Sequence, residues 1–431
     1  MSETLLKNGF VLSPSDGQNG IADILVKNGK IAAIGANLET DGEVVELNGK
    51  HVFPAFVDMH VHLRDPGQTY KEDVESGCRA AAAGGFCAVC CMPNTAPVND
   101  SEAVTKYIIE KANAVGGGVR VYPIGAVSKG LKGEELAEIG TMARGGAVAF
   151  SDDGQPVSSS RLMYLAMQYS NHFGKKILSH CEDKALAKEG VMNEGETATR
   201  LGLKGIPRAA ENAMIAREIL LCGELSIPVH ICHVSTREGV EMLREAKKRG
   251  VMVTAETCPH YIALTDEIID SRDYDTNARV NPPLRAEADR LAVIEGLRDG
   301  TIDVLVTDHA PHHRDDKEVE FIYASSGISG LETAFSVNYT TLCRENGMPL
   351  EKLIELMSYS APAILGLPAP KIAVGENANL AIVNLEKRKK VNAASFRSKG
   401  HNTPFDGMEF YGAIERTYAG GRLAFKEDKD A

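Results

Sequence analysis

Two histidines one residue apart, His60 and His62, end the apolar run "HVFPAFVDMH" and are followed by "LRDPG". Side chains alternate across a strand, so both imidazoles face one way, within reach of one cation. Asp65, Pro66 and Gly67 are turn residues, which puts the pair at the strand's C-terminal end. Similar endings recur. Asp152-Asp153-Gly154 close "GAVAFSDDG", His180 closes "KKILSH", His233 closes "IPVHICH", and Asp308-His309 close "IDVLVTDH". Singly, each is an ordinary turn, cap or rim residue. His60, His62, His180 and His233, with one carboxylate each from strands four and eight, make four histidines and two carboxylates. That is too many for one tetrahedral zinc and the right number for two ions.

Paired divalent ions acidify a water and polarise a carbonyl, a hydrolytic device. One carboxylate, Asp152 with Asp153 as the alternative, bridges or terminates the pair. Asp308 accepts the water's proton and returns it to a leaving nitrogen. Two ions give about +4, and the carboxylates with hydroxide remove about three. The residual positive charge suits an anionic substrate. Arg64, two residues past His62, can grip a carboxylate with its guanidinium fork. Asn94 in "MPNT", Asn281 in "NARVNPPLR" and His312 in "DHAPHH" are polar candidates at the same rim. His230 is in phase with Cys232 and out of phase with His233, so alternation turns it toward the helices. His260 in "TCPHY" can stand behind the ligands, whereas His51, His172 and His401 lie in no motif.

These endings need a frame that gathers them. Between about residues 52 and 310 eight short apolar runs of strand character alternate mostly with helix-like segments. Segments such as "SEAVTKYIIEKANAV" and "TREGVEMLREAKKRG" have helical spacing, and Ser101, Ser158 and Thr236 are positioned as caps. Eightfold β-then-α alternation predicts an α/β fold, a (β/α)8 TIM barrel whose function sits at the C-terminal strand ends. No G-x-G-x-x-G follows the first strand, which disfavours a doubly wound sheet. Both chain ends are β-rich, with Asn28-Gly29 and Gly420-Gly421 as turn signals. Neither end can bury a core alone. They are expected to form one small β-sandwich domain, residues 1–53 with 369–431, beside a barrel at 54–368.

The chain of 431 residues, 43% hydrophobic and 25% charged, has the composition of a globular protein. Its net charge of −12 argues against nucleic acid as a partner, and no apolar run is long enough for a bilayer. No signal peptide is expected in "MSETLLKNGFVLSP". Nine cysteines scattered through apolar runs fit a reducing cytoplasm, and Cys87-x-x-Cys90 without a second pair reads as packed thiols.

The motifs "DMHVHLRDPGQTYKED", "MPNT", "SDDG", "SHCED", "CHVST", "NPPLR", "TDHAPH" and "SGISGLETAF" together resemble the bacterial dihydroorotases of the amidohydrolase superfamily. The resemblance runs in order from about residue 50 to 340. It implies reversible cyclisation of N-carbamoyl-L-aspartate to L-dihydroorotate in pyrimidine biosynthesis. It implies two Zn2+ per chain on His60, His62, Asp152, His180, His233 and Asp308, with Asp308 the catalytic acid/base. Arg64, Asn94, Asn281 and His312 would hold the substrate, with Ser326 and Gly327 approaching through backbone groups. A mobile loop near 310–326 is also implied. Asp152 stands where many superfamily members carry a carbamylated lysine, and the family motif favours it over Asp153. "YASSG" departs from the bulkier apolar residue common before that glycine.

Partner expectations are a small anionic substrate, no nucleic acid, no membrane, a homodimer, and association with aspartate transcarbamoylase. Other cyclic amidases, such as a dihydropyrimidinase or allantoinase, are the alternative reading. Arg64, Asn94 and the absent strand-four lysine weigh against them. An inactive structural homologue is a third, which six retained ligands disfavour.

Overall fold

A computed structural model describes residues 3–427. The apolar run beginning at His51 divides at Ala55. His51–Pro54 joins the terminal sheet, and Phe56–Val61 begins the barrel. Phe56–Val61, Phe86–Cys91 and Arg120–Pro123 pair in parallel. Ile177–Ser179, Val229–Ile231, Val253–Thr257 and Val304–Leu305 form a second parallel set. Phe150 joins the two sets, bridging Gly125 on one side and Ile177 on the other, and Val61 pairs with His309 to close the ring. The result is an eight-position barrel, its fourth strand reduced to a short bridge. Strands in such a barrel are covered by helices outside and side chains inside, which is why they read as continuous apolar runs.

Helices Glu102–Val115, Ser160–His172, Ala209–Leu225 and Arg237–Lys248 occupy the expected segments. Thr236 caps its helix through Gly239 N–H, but the cap expected of Ser158 falls on Ser159, which accepts from Leu162 N–H. Ser101 holds the cap position without a side-chain bond. The helix begins at Ser160, which makes Ser159 the residue that flanks its first turn.

The β-sandwich domain takes strands from both chain ends in one eight-stranded sheet. Leu380–Lys390 pairs with His51–Pro54, which pairs with Glu3–Ser13. Alternation divides its faces. Val52, Leu380 and Ile382 enter a core of the domain's own with Leu6 and Ile24, while Phe53, Ala381 and Val383 join the barrel core. The hairpin turns use positive φ at Asn28 (52°) and Gly29 (79°), and at Gly420 (55°) and Gly421 (79°), backbone that asparagine and glycine adopt at least cost. All nine cysteines are free and all but Cys343 are buried; burial pushes the Cys87 and Cys91 thiols up to about 12. Among the described residues no helix is long and apolar enough to cross a membrane.

Candidate metal centre and substrate cavity

His60 and His62 project from the first strand with ring centroids 5.4 Å apart. His60 Nε2 lies 3.5 Å from Asp153 Oδ1 and 3.4 Å from Asp308 Oδ1. His62 Nε2 lies 3.3 Å from Asp153 Oδ2 and 3.1 Å from Asp308 Oδ1. On the opposite side His180 Nδ1 and His233 Nε2 approach Asp153 Oδ1 at 3.3 and 3.4 Å, and each other at 2.8 Å. His60 and His233, from strands one and six, have ring centroids 5.3 Å apart. Five of the six expected ligands therefore meet at one barrel mouth.

The sixth does not. Asp152 is turned away: its Oδ1 accepts from Val127 N–H at 2.8 Å and Ser128 N–H at 3.0 Å, and its Oδ2 from the Ser128 hydroxyl. Asp153 takes the place expected of Asp152. The cause is the phase of the short fourth strand. Phe150 lies with Met142 against Gly125 on the helix side, Asp152 follows it in phase, and Asp153 falls on the interior.

The orientation of His230 is likewise corrected. It is fully buried in the barrel, with Nδ1 2.8 Å from Thr254 Oγ1 and Nε2 3.0 Å from Glu256 Oε2. Strict alternation would place either His230 or His233 inside, not both. His233 has φ of 36°, which breaks the alternation and swings its ring back inward. Arg64 (59°) and Asp308 (47°) also adopt left-handed backbone, each at a cost on the order of 1 kcal/mol. Such strain at three site residues marks positions where the frame imposes the geometry.

Glu256, Glu182 and Asp58 were not singled out from the sequence. Glu256 Oε1 lies 2.5 Å from His60 Nδ1. Burial pushes the Glu256 carboxyl up, but His60 and His230 more than offset this and hold it well below the usual range. Glu182 Oε2 lies 3.3 Å from His180 Nε2. Asp58 accepts from Thr307 N–H at 3.1 Å and binds its hydroxyl at 2.6 Å, tying strand one to strand eight. A carboxylate inside an apolar strand run, as in "VTAETC", was the available signal, because a buried charge must be paired.

The donor set fits cations. His60 Nε2 and His233 Nδ1 are buried without a hydrogen-bond partner. His60 Nδ1 faces Glu256, and His62 Nδ1 donates to Asn94 Oδ1 at 2.8 Å, so these two rings turn Nε2 to the cluster, while His180 faces it through Nδ1 with its Nε2 toward Glu182. Burial works against charge on His60, His180, Asp153 and Asp308. Even so, His60 is raised well above its ordinary value by Glu256, Asp153 and Asp308, and His180 reaches about 9 through Asp153 and Glu182. Asp153 and Asp308 are correspondingly held low by the histidines around them. Two groupings, His60 with Asp153 and His233, and His60 with His62 and Asp308, bring their ligand atoms within 4.8 Å of one another.

All six substrate-binding candidates line one cavity of about 210 Å3, together with His62, Asp153, His180 and Asp308. Arg64 is buried, its Nε donating to Pro311 O at 3.2 Å. Burial lowers its pKa to about 10, so it stays cationic at neutral pH. Burial and Arg64 push His312 down to about 2, keeping it neutral. Its Nε2 donates to Ser326 O at 2.9 Å. Asn281 Nδ2 donates to Glu182 Oε2 at 3.2 Å. Gly327, at φ 151°, leaves no room for a side chain: a Cβ would lie 2.6 Å from Ala310 O and 3.0 Å from His312 Cδ2. Asn94 emerges with a second duty, since its carbonyl oxygen is already engaged by His62.

A family model described as "Dihydro-orotase-like" matches residues 49–239. A dihydroorotase of Acetivibrio thermocellus is 50% identical over 424 residues, covering 98% of this chain and 99% of the relative. One from Ruminiclostridium cellulolyticum is 51% identical over 418 residues, covering 97% of each. Among solved structures, the L-hydantoinase (dihydropyrimidinase) from Arthrobacter aurescens superposes with a TM-score of 0.84 at 29% identity, covering 98% of this chain and 96% of the other. A dihydropyrimidinase from Brevibacillus agri, at 20% identity and TM-score 0.82 over 98% and 94% of the two chains, shares the fold. With half its residues matched over nearly its whole length, the chain belongs to the dihydroorotase family.

Proposed function

We propose that the protein is a zinc-dependent dihydroorotase of the cytoplasm. It interconverts N-carbamoyl-L-aspartate with L-dihydroorotate and water, the third step of de novo pyrimidine synthesis. The observation that carries this reading is one small cavity holding two different devices: a buried His/Asp cluster and a buried, charged Arg64. The first suits amide chemistry, and the second suits the carboxylate that distinguishes dihydroorotate from neutral cyclic amides.

Two zinc ions, held by His60, His62, Asp153 and Asp308 and by Asp153, His180 and His233, would supply Lewis acidity toward the ring carbonyl and acidify water. Arg64 and Asn94 bind the substrate carboxylate, fixing the ring so that its amide carbon faces the cluster. Asn281, neutral His312 and the Ser326-Gly327 backbone bound the ring's other edge. In the hydrolytic direction a C–O bond forms at that carbon and the C–N bond breaks. Asp308 takes a proton at its carboxylate from the attacking water and gives it to the departing nitrogen. Cyclisation runs the same transfers backwards.

The test compares turnover of L-dihydroorotate, dihydrouracil and allantoin by the zinc-loaded protein. Turnover of dihydroorotate is expected. Activity confined to the other two would replace this reading with that of another cyclic amidase.

A further inference from the structure

Lys317 belongs to none of the motifs above. It lies in the charged loop after strand eight, yet it is only 4% exposed. Its ammonium donates to three backbone carbonyls, Ser325 at 2.7 Å, Thr276 at 3.0 Å and Arg279 at 3.3 Å. Among the described residues no carboxylate forms an ion pair with it. Three carbonyl acceptors match the three donors of an ammonium, so it is satisfied without a direct counter-ion. Burial and the neighbouring Arg279 lower its pKa to about 7, against the pull of Asp275 and Asp316.

The three carbonyls come from both walls of the substrate cavity. Thr276 and Arg279 precede Asn281 in the loop after strand seven, and Ser325 precedes Ser326 and Gly327. Further bonds run between the same segments: Thr276 Oγ1 donates to Lys317 O at 2.7 Å, and Gly327 N–H donates to Arg279 O at 2.9 Å. Little apolar burial holds the outer loop, since Val319, Ile322 and Tyr323 are exposed and Phe321 with Ala324 supply its buried contacts.

We propose that Lys317 is a positioning residue that clamps the 276–281 loop to the 314–327 loop and so sets the spacing between Asn281 and the Ser326-Gly327 backbone across the substrate. This rests on the dihydroorotase reading and deepens it. Lys317 does not line the cavity that Arg64, Asn94, Asn281 and His312 share; it acts through the backbone it holds. Displacing a binding wall by about 1 Å can cost on the order of 100-fold.

The test uses Lys317→Met, Thr276→Val and the double variant of the full-length zinc-loaded protein. Lys317→Met should raise KM for L-dihydroorotate on the order of tenfold or more, with kcat within about threefold and zinc content unchanged. The milder Thr276→Val should shift KM the same way by a smaller factor. The double variant should raise KM at least as far as Lys317→Met, because Thr276 Oγ1 bonds the main-chain carbonyl of residue 317, which that substitution retains. An unchanged KM in Lys317→Met overturns the proposal, as does a fall in kcat and zinc content in step with KM while Thr276→Val behaves as wild type. Chymotryptic nicking after Tyr323 reads the clamp without reference to activity. Faster nicking in Lys317→Met is expected even from a protein inactive on dihydroorotate, where only the functional reading fails; an unchanged rate overturns the clamp.

Discussion

His60 Nδ1 and Glu256 Oε1 stand 2.5 Å apart inside the barrel, and the other oxygen of Glu256 lies 3.0 Å from His230 Nε2. A carboxylate buried beneath the cluster thereby fixes the imidazole that faces both Asp153 and Asp308. Glu256→Gln keeps the shape and removes the charge. Zinc affinity, measured by competition with a chelator, should fall about 10- to 100-fold. Equal affinity in variant and wild type would show that His60 needs no such support.

Asp152 and Asp153 are neighbours with opposite duties. Asp153→Asn should abolish zinc retention and turnover together. Asp152→Asn should retain zinc but lose about 1–3 kcal/mol of stability, because it weakens the acceptor for Val127 N–H, Ser128 N–H and the Ser128 hydroxyl. Metal analysis and urea unfolding of both variants decide the matter. Loss of zinc from the Asp152 variant alone would reverse the assignment.

Arg64 is the cavity's buried cation, and its removal should act on binding. Arg64→Met should raise KM for L-dihydroorotate by about 10- to 100-fold, the worth of a charge-assisted hydrogen bond pair, while zinc content stays at the wild-type value. A normal KM would remove the carboxylate from Arg64.

Glu332 supplies a pH signature remote from the cluster. Burial, with Glu72 nearby, raises its carboxyl to about 7 although it accepts from Arg397 N–H at 2.7 Å and Ser398 N–H at 3.0 Å. The folded protein holds this proton where the unfolded chain has lost it. The associated stability is therefore full below about 4.5 and is lost as pH rises through about 7. Relative to Glu332→Gln, the wild type should lose stability between pH 5 and 7.5 in urea unfolding. A difference independent of pH would contradict the shift.

The barrel was legible because strands buried on both faces leave apolar runs, and the site because its polar residues interrupt those runs at their ends. Alternation could be followed wherever a strand was long, as at His60 and His62. It failed at two places with identifiable causes. The fourth strand is only the bridge at Phe150, too short to show its phase, and the phase decides between Asp152 and Asp153. At His233 the left-handed backbone reset the alternation and brought His230 inside as well. Glu256 and Lys317 were not readable as functional because their partners, His60 and the carbonyls of 276–279, lie far away in sequence.

The most direct measurement is an anomalous-scattering map at the zinc edge from crystals grown with L-dihydroorotate. Two peaks are expected, one among His60, His62, Asp153 and Asp308 and one among Asp153, His180 and His233, with the ligand's carboxylate on Arg64. A peak coordinated by Asp152, or a ligand whose carboxylate points away from Arg64, would contradict the proposed site.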